Sequence, residues 1–162
     1  MDFTGIGEKH GFQLVVPKVS REKASSWMSE RPMPSILRNT GFDGRMFLEE
    51  SEWRTYCRRK PVRYIRKDRE AACRICGKPG VAENPFQHAH IVSFDIGVID
   101  LALTPDFLDS DANIVTAHRT ACNKATELDL RGSMSHLQSL GVKELPPFLP
   151  EVIHEIWRLV VS

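Results

Sequence analysis

Cys73-Arg74-Ile75-Cys76-Gly77 and His118-Arg119-Thr120-Ala121-Cys122-Asn123-Lys124 are the stretches that decide the fold. Between them lie Gln87-His88-Ala89-His90-Ile91-Val92 and Asp111-Ala112-Asn113-Ile114-Val115. Cys73 and Cys76 span two residues, so both thiolates reach one ion from a tight turn. His118 and Cys122 are four apart, which puts both on one face of a helical turn. Four such ligands close a tetrahedral zinc site and make it structural rather than catalytic. Gly77 permits the positive φ that lets backbone amides face the sulfurs. The competing reading is of buried thiols and a core imidazole; two paired ligand sets at this spacing favour metal. Cys57 stands apart, and in a reducing compartment the pattern marks zinc rather than two disulfides.

Working outward, His88 to Phe94 and Asn113 to Ala117 read as strands, and Thr120 to Arg131 as a helix carrying Cys122 and Asn123. The connection 95–112 holds its own apolar stretch, Ile96 to Leu103, and a turn or helix start at Thr104-Pro105-Asp106. Gly132 interrupts the helical pattern, and Ser133 to Leu140 forms another short helix closed by Gly141 as C′ residue. Upstream, residues 12–16 suggest a strand. Residues 20–30 suggest a helix with Ser20 as N-cap. Residues 45–59 suggest a second helix, with Met46, Trp53 and Cys57 near helical spacing. Pro146, Pro147 and Pro150 make a stiff connector to a strongly apolar helix, Glu151 to Val161. That helix either closes the core or forms a contact with a second copy or a partner subunit.

The chain of 162 residues fits one domain with extensions, and its 41% hydrophobic content can build a core. No apolar run is long enough to cross a bilayer, and the N-terminus lacks the basic start and apolar segment of a secretory signal. The expected location is therefore cytoplasmic, with no membrane partner. The net charge of +1 hides an asymmetry: residues 54–69 carry eight basic side chains and one acid, Asp68. Arg58, Arg59, Lys60, Arg63, Arg66 and Lys67 in this stripe are the candidates for phosphate contacts, which give sequence-independent affinity. The bland alternative is a solvated helix end. Three segments follow: an N-terminal helical extension with the basic stripe (1–69), a zinc-stapled unit (70–132) and a C-terminal helical segment (133–162).

A His-Ile-Val strand, a connection, an Asn-Ile-Val strand and a ligand-bearing helix resemble the HNH endonuclease family, over Cys73 to about Lys124. The resemblance implies an α+β fold with a ββα-metal (His-Me finger) core and structural zinc, flanked by N- and C-terminal helices. It implies hydrolysis of DNA phosphodiester bonds, by nicking or double-strand cleavage, with a divalent ion: Mg²⁺ or Mn²⁺ first, Zn²⁺ or Ni²⁺ as alternatives. His90 would be the general base, Asn113 the residue that bonds across the hairpin and orients it, and Asn123 a ligand of the catalytic ion. The spacing from Asn113 to Asn123 is one residue longer than the common pattern. Ala89 stands where relatives often carry a second metal ligand; His88, two residues before His90, points to the same side of an extended strand and can take that role. Asp95 or Asp111 can approach from the connection instead. Small proteins of this type come from phages, mobile elements and defence systems. The chemistry is coherent without the family: a neutral imidazole accepts a proton at cellular pH, and a carboxamide oxygen suits a hard cation. The rival class is a zinc-stapled nucleic-acid-binding module without turnover, or a subunit of a larger nuclease complex.

Overall fold

Two short strands carry the molecule's only sheet among the described residues. β1 (Phe86–His90) pairs antiparallel with β2 (Ile114–His118), with Phe86 opposite His118, Ala89 opposite Val115 and His90 opposite Ile114. The computed structural model describes residues 19–20, 22–23, 26, 37, 40–57, 72–123 and 129–162, with backbone alone for 55–57. The chain is α+β. The expected strand over 12–16 and the basic residues Arg58, Arg59, Lys60, Arg63, Arg66 and Lys67 lie outside the described residues. Of the expected helix over 20–30, Glu22, Lys23 and Ser26 are helical, and the Ser20 hydroxyl accepts from Lys23 N at 3.3 Å, as an N-cap should.

The helix expected over 45–59 is divided. Gly44–Phe47 forms a 3₁₀ turn capped by the Asp43 carboxylate, Leu48 is extended, and α1 follows at Glu50–Cys57. Local capping explains the break. Glu52 reaches back to accept from Glu49 N at 2.9 Å, which starts a fresh helix there. Asp43 also grips Arg45, with both partners buried and Arg45 Nη2 2.6 Å from Asp43 Oδ2. The guanidinium lies over the Trp53 ring, 5.4 Å from its centroid.

The connection between the strands is not a loose loop. Ile96–Asp100 makes one turn of π-helix, and α2 (Pro105–Leu108) follows with Thr104 as N-cap and proline at its start. Gly44 lets the 3₁₀ turn lie directly on that π-turn: a Cβ there would sit 1.7 Å from the Val98 carbonyl oxygen.

The helix expected over 120–131 does not run through to Arg131. Cys122 and Asn123 are helical, residues 124–128 are outside the described set, and a new helix, α3 (Leu130–Ser139), begins at an Asp129 N-cap that accepts from Gly132 N at 2.8 Å. Gly132 therefore lies inside α3 rather than interrupting it. Gly141, at φ 93°, closes α3: its N–H bonds Gln138 O and the next N–H, of Val142, bonds Leu137 O. α4 (Glu151–Val161) packs against α3 and buries Ile153 and Trp157, while Val152, Leu159 and Val161 remain exposed.

One large core joins residues from every part of this order: Leu37, Leu48 and Trp53, then Val92 to Leu108, then Met134, Leu137, Ile153 and Trp157. A second cluster is far smaller, with Cys73, Ala89 and Ala117 at its centre. The small cluster runs along the hairpin, and the chain enters the large one just past β1, at Val92.

Candidate functional site

At the open end of the hairpin, Cys73, Cys76, His118 and Cys122 converge, with their ligand atoms within 4.8 Å of one another. The Cys76 sulfur lies 3.4 Å from His118 Nδ1. Two ligands of a tetrahedral zinc ion, each about 2.0–2.3 Å from the metal, sit about 3.5 Å apart, so this edge is already close to the required length. The knuckle is held by its own backbone: Gly77, at φ 74°, donates to Cys73 O, Cys73 N donates to Lys78 O, and Arg74 N ties the turn to β2 through Thr116 O. Ile75 N points at the Cys73 sulfur at 3.4 Å. His118 Nε2 donates to the Pro79 carbonyl at 2.9 Å, which fixes the tautomer and leaves Nδ1 free to ligate. Ala121 adopts φ 66° to swing Cys122 back onto the group, a costly conformation for a residue with a Cβ.

The sulfur electrostatics suit a bound cation. Burial raises the Cys73 thiol, but backbone donors at Cys76, His118 and Ile75 outweigh it and bring it down to about 6. Cys122 is pushed up to about 11, by burial first and then by its neighbours Cys73 and Cys76. Thiolates this close cannot all ionise alone; a divalent cation removes the conflict. The four residues can hold a metal ion, and the thiolate-rich donor set suits zinc.

At the turn end, β1 finishes in His90 and the chain enters the large core at Val92. Asn113, wholly buried, closes this end. Its Oδ1 accepts from Val92 N at 2.8 Å, and its Nδ2 donates to Val92 O at 3.0 Å and to Leu108 O at 2.9 Å. Its own carbonyl accepts from Ile91 N. The cross-hairpin bonding expected of Asn113 is therefore present, and it also reaches α2. His136 on α3 donates from Nε2 to Ala112 O at 2.8 Å, steadying the residue just before this clamp.

His90 Nε2 lies 2.8 Å from Asp109 Oδ1, and the ring packs edge-on to Phe94. Asp109 was not singled out by the sequence, which named Asp95 and Asp111 as acids that could supply a metal ligand from the connection. Thr104 and Pro105 mark the helix start locally, but the approach of its C-terminal residue Asp109 to β1 is a tertiary contact that the sequence does not mark, supported by the Asn113 bond to Leu108 O.

The remaining site residues divide between the two ends. By strand alternation His88 shares a face with His90 and His118, opposite Thr116. Ala89 points the other way and is fully buried beside Ala117 and Cys73, so a carboxylate at that position would sit against the sulfur cluster. Asn123, half-exposed, directly follows Cys122 at the metal end. A strand of five residues rises about 13 Å from first to last Cα, so the two ends are separate environments with His88 between them. Among the described residues, Cys73, Cys76, His118 and Cys122 form the one group of three or more His, Cys, Asp or Glu side chains close enough to share an ion. No helix of the described residues is long and apolar enough to cross a membrane. No protein-family model matches the chain, and no curated protein or solved structure matches it either.

Proposed function

We propose that this protein is a metal-dependent HNH-type endonuclease that hydrolyses DNA phosphodiester bonds, built on a ββα-metal unit stapled by zinc. The observation that carries this reading is the Asn113 clamp. A buried carboxamide ties the end of the His90 strand to the start of its partner, the arrangement needed to hold a general base steady at the edge of a hairpin.

In this reading zinc on Cys73, Cys76, His118 and Cys122 is structural: all four positions are protein ligands, which leaves no open one for water. His90 accepts the proton of the attacking water. Asn123 and His88 are the side chains that would hold the catalytic divalent ion. Two protein ligands suffice for Mg²⁺ or Mn²⁺, because such ions keep several waters. When bound, that ion supplies charge stabilisation to the leaving 3′-oxygen. The basic stripe, Arg58, Arg59, Lys60, Arg63, Arg66 and Lys67, would contact phosphates without reading bases. Products would carry 5′-phosphate and 3′-hydroxyl ends.

The test is plasmid nicking. Supercoiled DNA with Mg²⁺ or Mn²⁺ should be converted to open circles by the wild type and not by His90→Ala. One observation favours a second reading, a zinc-stapled nucleic-acid-binding module or a subunit that needs a partner for activity. Asn123 adjoins Cys122, buried Ala89 offers no ligand, and among the described residues no second group of three His, Cys, Asp or Glu side chains lies close enough to share an ion. Retardation of DNA with no cleavage in either protein would favour that reading.

A further inference from the structure

Asp109 stands at the C-terminal end of α2, its N–H bonded to Pro105 O, and is fixed on its other side by Ser110, whose N–H and hydroxyl both donate to Phe107 O. Asn113 binds the carbonyl of Leu108, immediately before Asp109, with the same amide group that binds the carbonyl of Val92, two residues after His90. One carboxamide thus sets the relative position of the two backbones that carry His90 and Asp109. The side chains meet at 2.8 Å, with exposures of 17% and 31%, so the pair is partly shielded from water without being sealed. A carboxylate has no proton to give, so the hydrogen in this contact belongs to His90 Nε2, and in the neutral ring the lone pair then sits on Nδ1.

We infer that Asp109 is the positioning residue of His90: it holds the ring in the Nε2–H tautomer, directs Nδ1 to the water, and balances the imidazolium once the proton arrives. The inference rests on the nuclease reading above. In the step it serves, a proton passes from water to Nδ1 as the water oxygen bonds to phosphorus. The bond from phosphorus to the 3′-oxygen breaks, and that oxygen takes a proton from solvent. Asp109 stays ionised throughout and touches no substrate atom.

Ring-nitrogen NMR on histidine-labelled, zinc-loaded protein reads the tautomer directly and needs no activity. The wild-type His90 signal should be that of the Nε2–H form, and Asp109→Asn should shift it toward the other tautomer or a mixture. In plasmid nicking, Asp109→Asn should lower kcat at least about tenfold with KM for DNA unchanged, short of the about 10²- to 10⁴-fold expected for loss of the base itself. Asp109→Glu should recover most of both. Zinc content equal to wild type confirms that each variant is folded. An unchanged ring signal in Asp109→Asn, or nicking at the wild-type rate, overturns the inference. If the wild type nicks nothing while its His90 signal still answers to Asp109→Asn, the nuclease reading fails and the catalytic role of Asp109 falls with it, although the contact itself stands.

Discussion

The two ends of one short hairpin are ordered by different physics. On the side of the hairpin that carries the cysteines the hydrophobic cluster is minimal, with Cys73, Ala89 and Ala117 at its centre, and four convergent ligands take the place of a core. At the turn end the chain runs into a cluster of some twenty buried side chains, and the organising contact is a buried amide. A metal can hold a unit too small to bury its own apolar surface, because its binding energy is folding energy. The turn end has apolar surface enough and uses polar bonds for placement rather than for bulk stability. The first end should therefore fail when the metal goes, and the second when a hydrogen-bond partner goes.

Removing the metal is the strongest way to break this contrast. Structural zinc contributes about 10–16 kcal/mol of apparent binding energy at neutral pH in small zinc units. A strong chelator, or Cys73→Ser, should release one zinc per chain and unfold the residues around the knuckle, read by metal analysis and amide exchange. The region around Ile153 and Trp157 should stay protected. Zinc affinity should also weaken as pH falls, because the thiols must shed protons to bind. Cys122, pushed up to about 11, is largely protonated without metal across the neutral range, and below about 6 Cys73 too must give up a proton. A zinc affinity indifferent to pH would contradict this proton release.

Next in size is His90→Ala. On the proposed nuclease reading it should lower nicking about 10²- to 10⁴-fold, with zinc content and melting temperature close to wild type. Asn113→Ala sharpens the comparison from the other side. It strands Val92 N–H and the Val92 and Leu108 carbonyls in a buried place, at about 2–4 kcal/mol in urea denaturation of the zinc-loaded protein, and it keeps the zinc. Loss of zinc in Asn113→Ala would mean that the two ends are not separable.

The smallest effect is on the dependence of stability on pH. Burial holds the His136 imidazole below its ordinary value of 6.5, an effect that outweighs the opposing pull of the Ala112 carbonyl. The unfolded chain therefore binds this proton more readily. The stability contributed is intact above about pH 6.5 and declines as the pH drops through the lowered folded value. His136→Gln should flatten that decline in acid-titration melts.

The metal end was legible in the sequence because ligand identity and spacing are short-range facts, although His118 ends β2 and reaches Cys122 through the positive-φ Ala121 rather than sharing a helical turn with it. Asn113 was legible by type and position, and its bonding partners follow from the hairpin. The strand limits were less so. β1 begins at Phe86 rather than His88 and ends at His90 rather than Phe94, because pairing with β2 is set by the register Phe86–His118 and stops where Asn113 turns the chain inward. The helix breaks at Leu48 and before Asp129 depended on side-chain caps, Glu52 and Asp129, that periodicity does not register. Asp109 was missed for a different reason: its meeting with His90 is a tertiary event across nineteen positions, and nothing local marks it.

The hydrogen bond from His136 to Ala112 bears on how far this centre can be transplanted. Leu130, Met134 and Leu137 from the same helix are embedded among the side chains that seat Val92 and Leu108. A graft of the hairpin alone, cut before Asp129 and fused to a foreign carrier, would carry the four candidate metal ligands along but arrive with His90 and Asp109 unbraced. To travel with that contact intact, it must bring the last two helices with it.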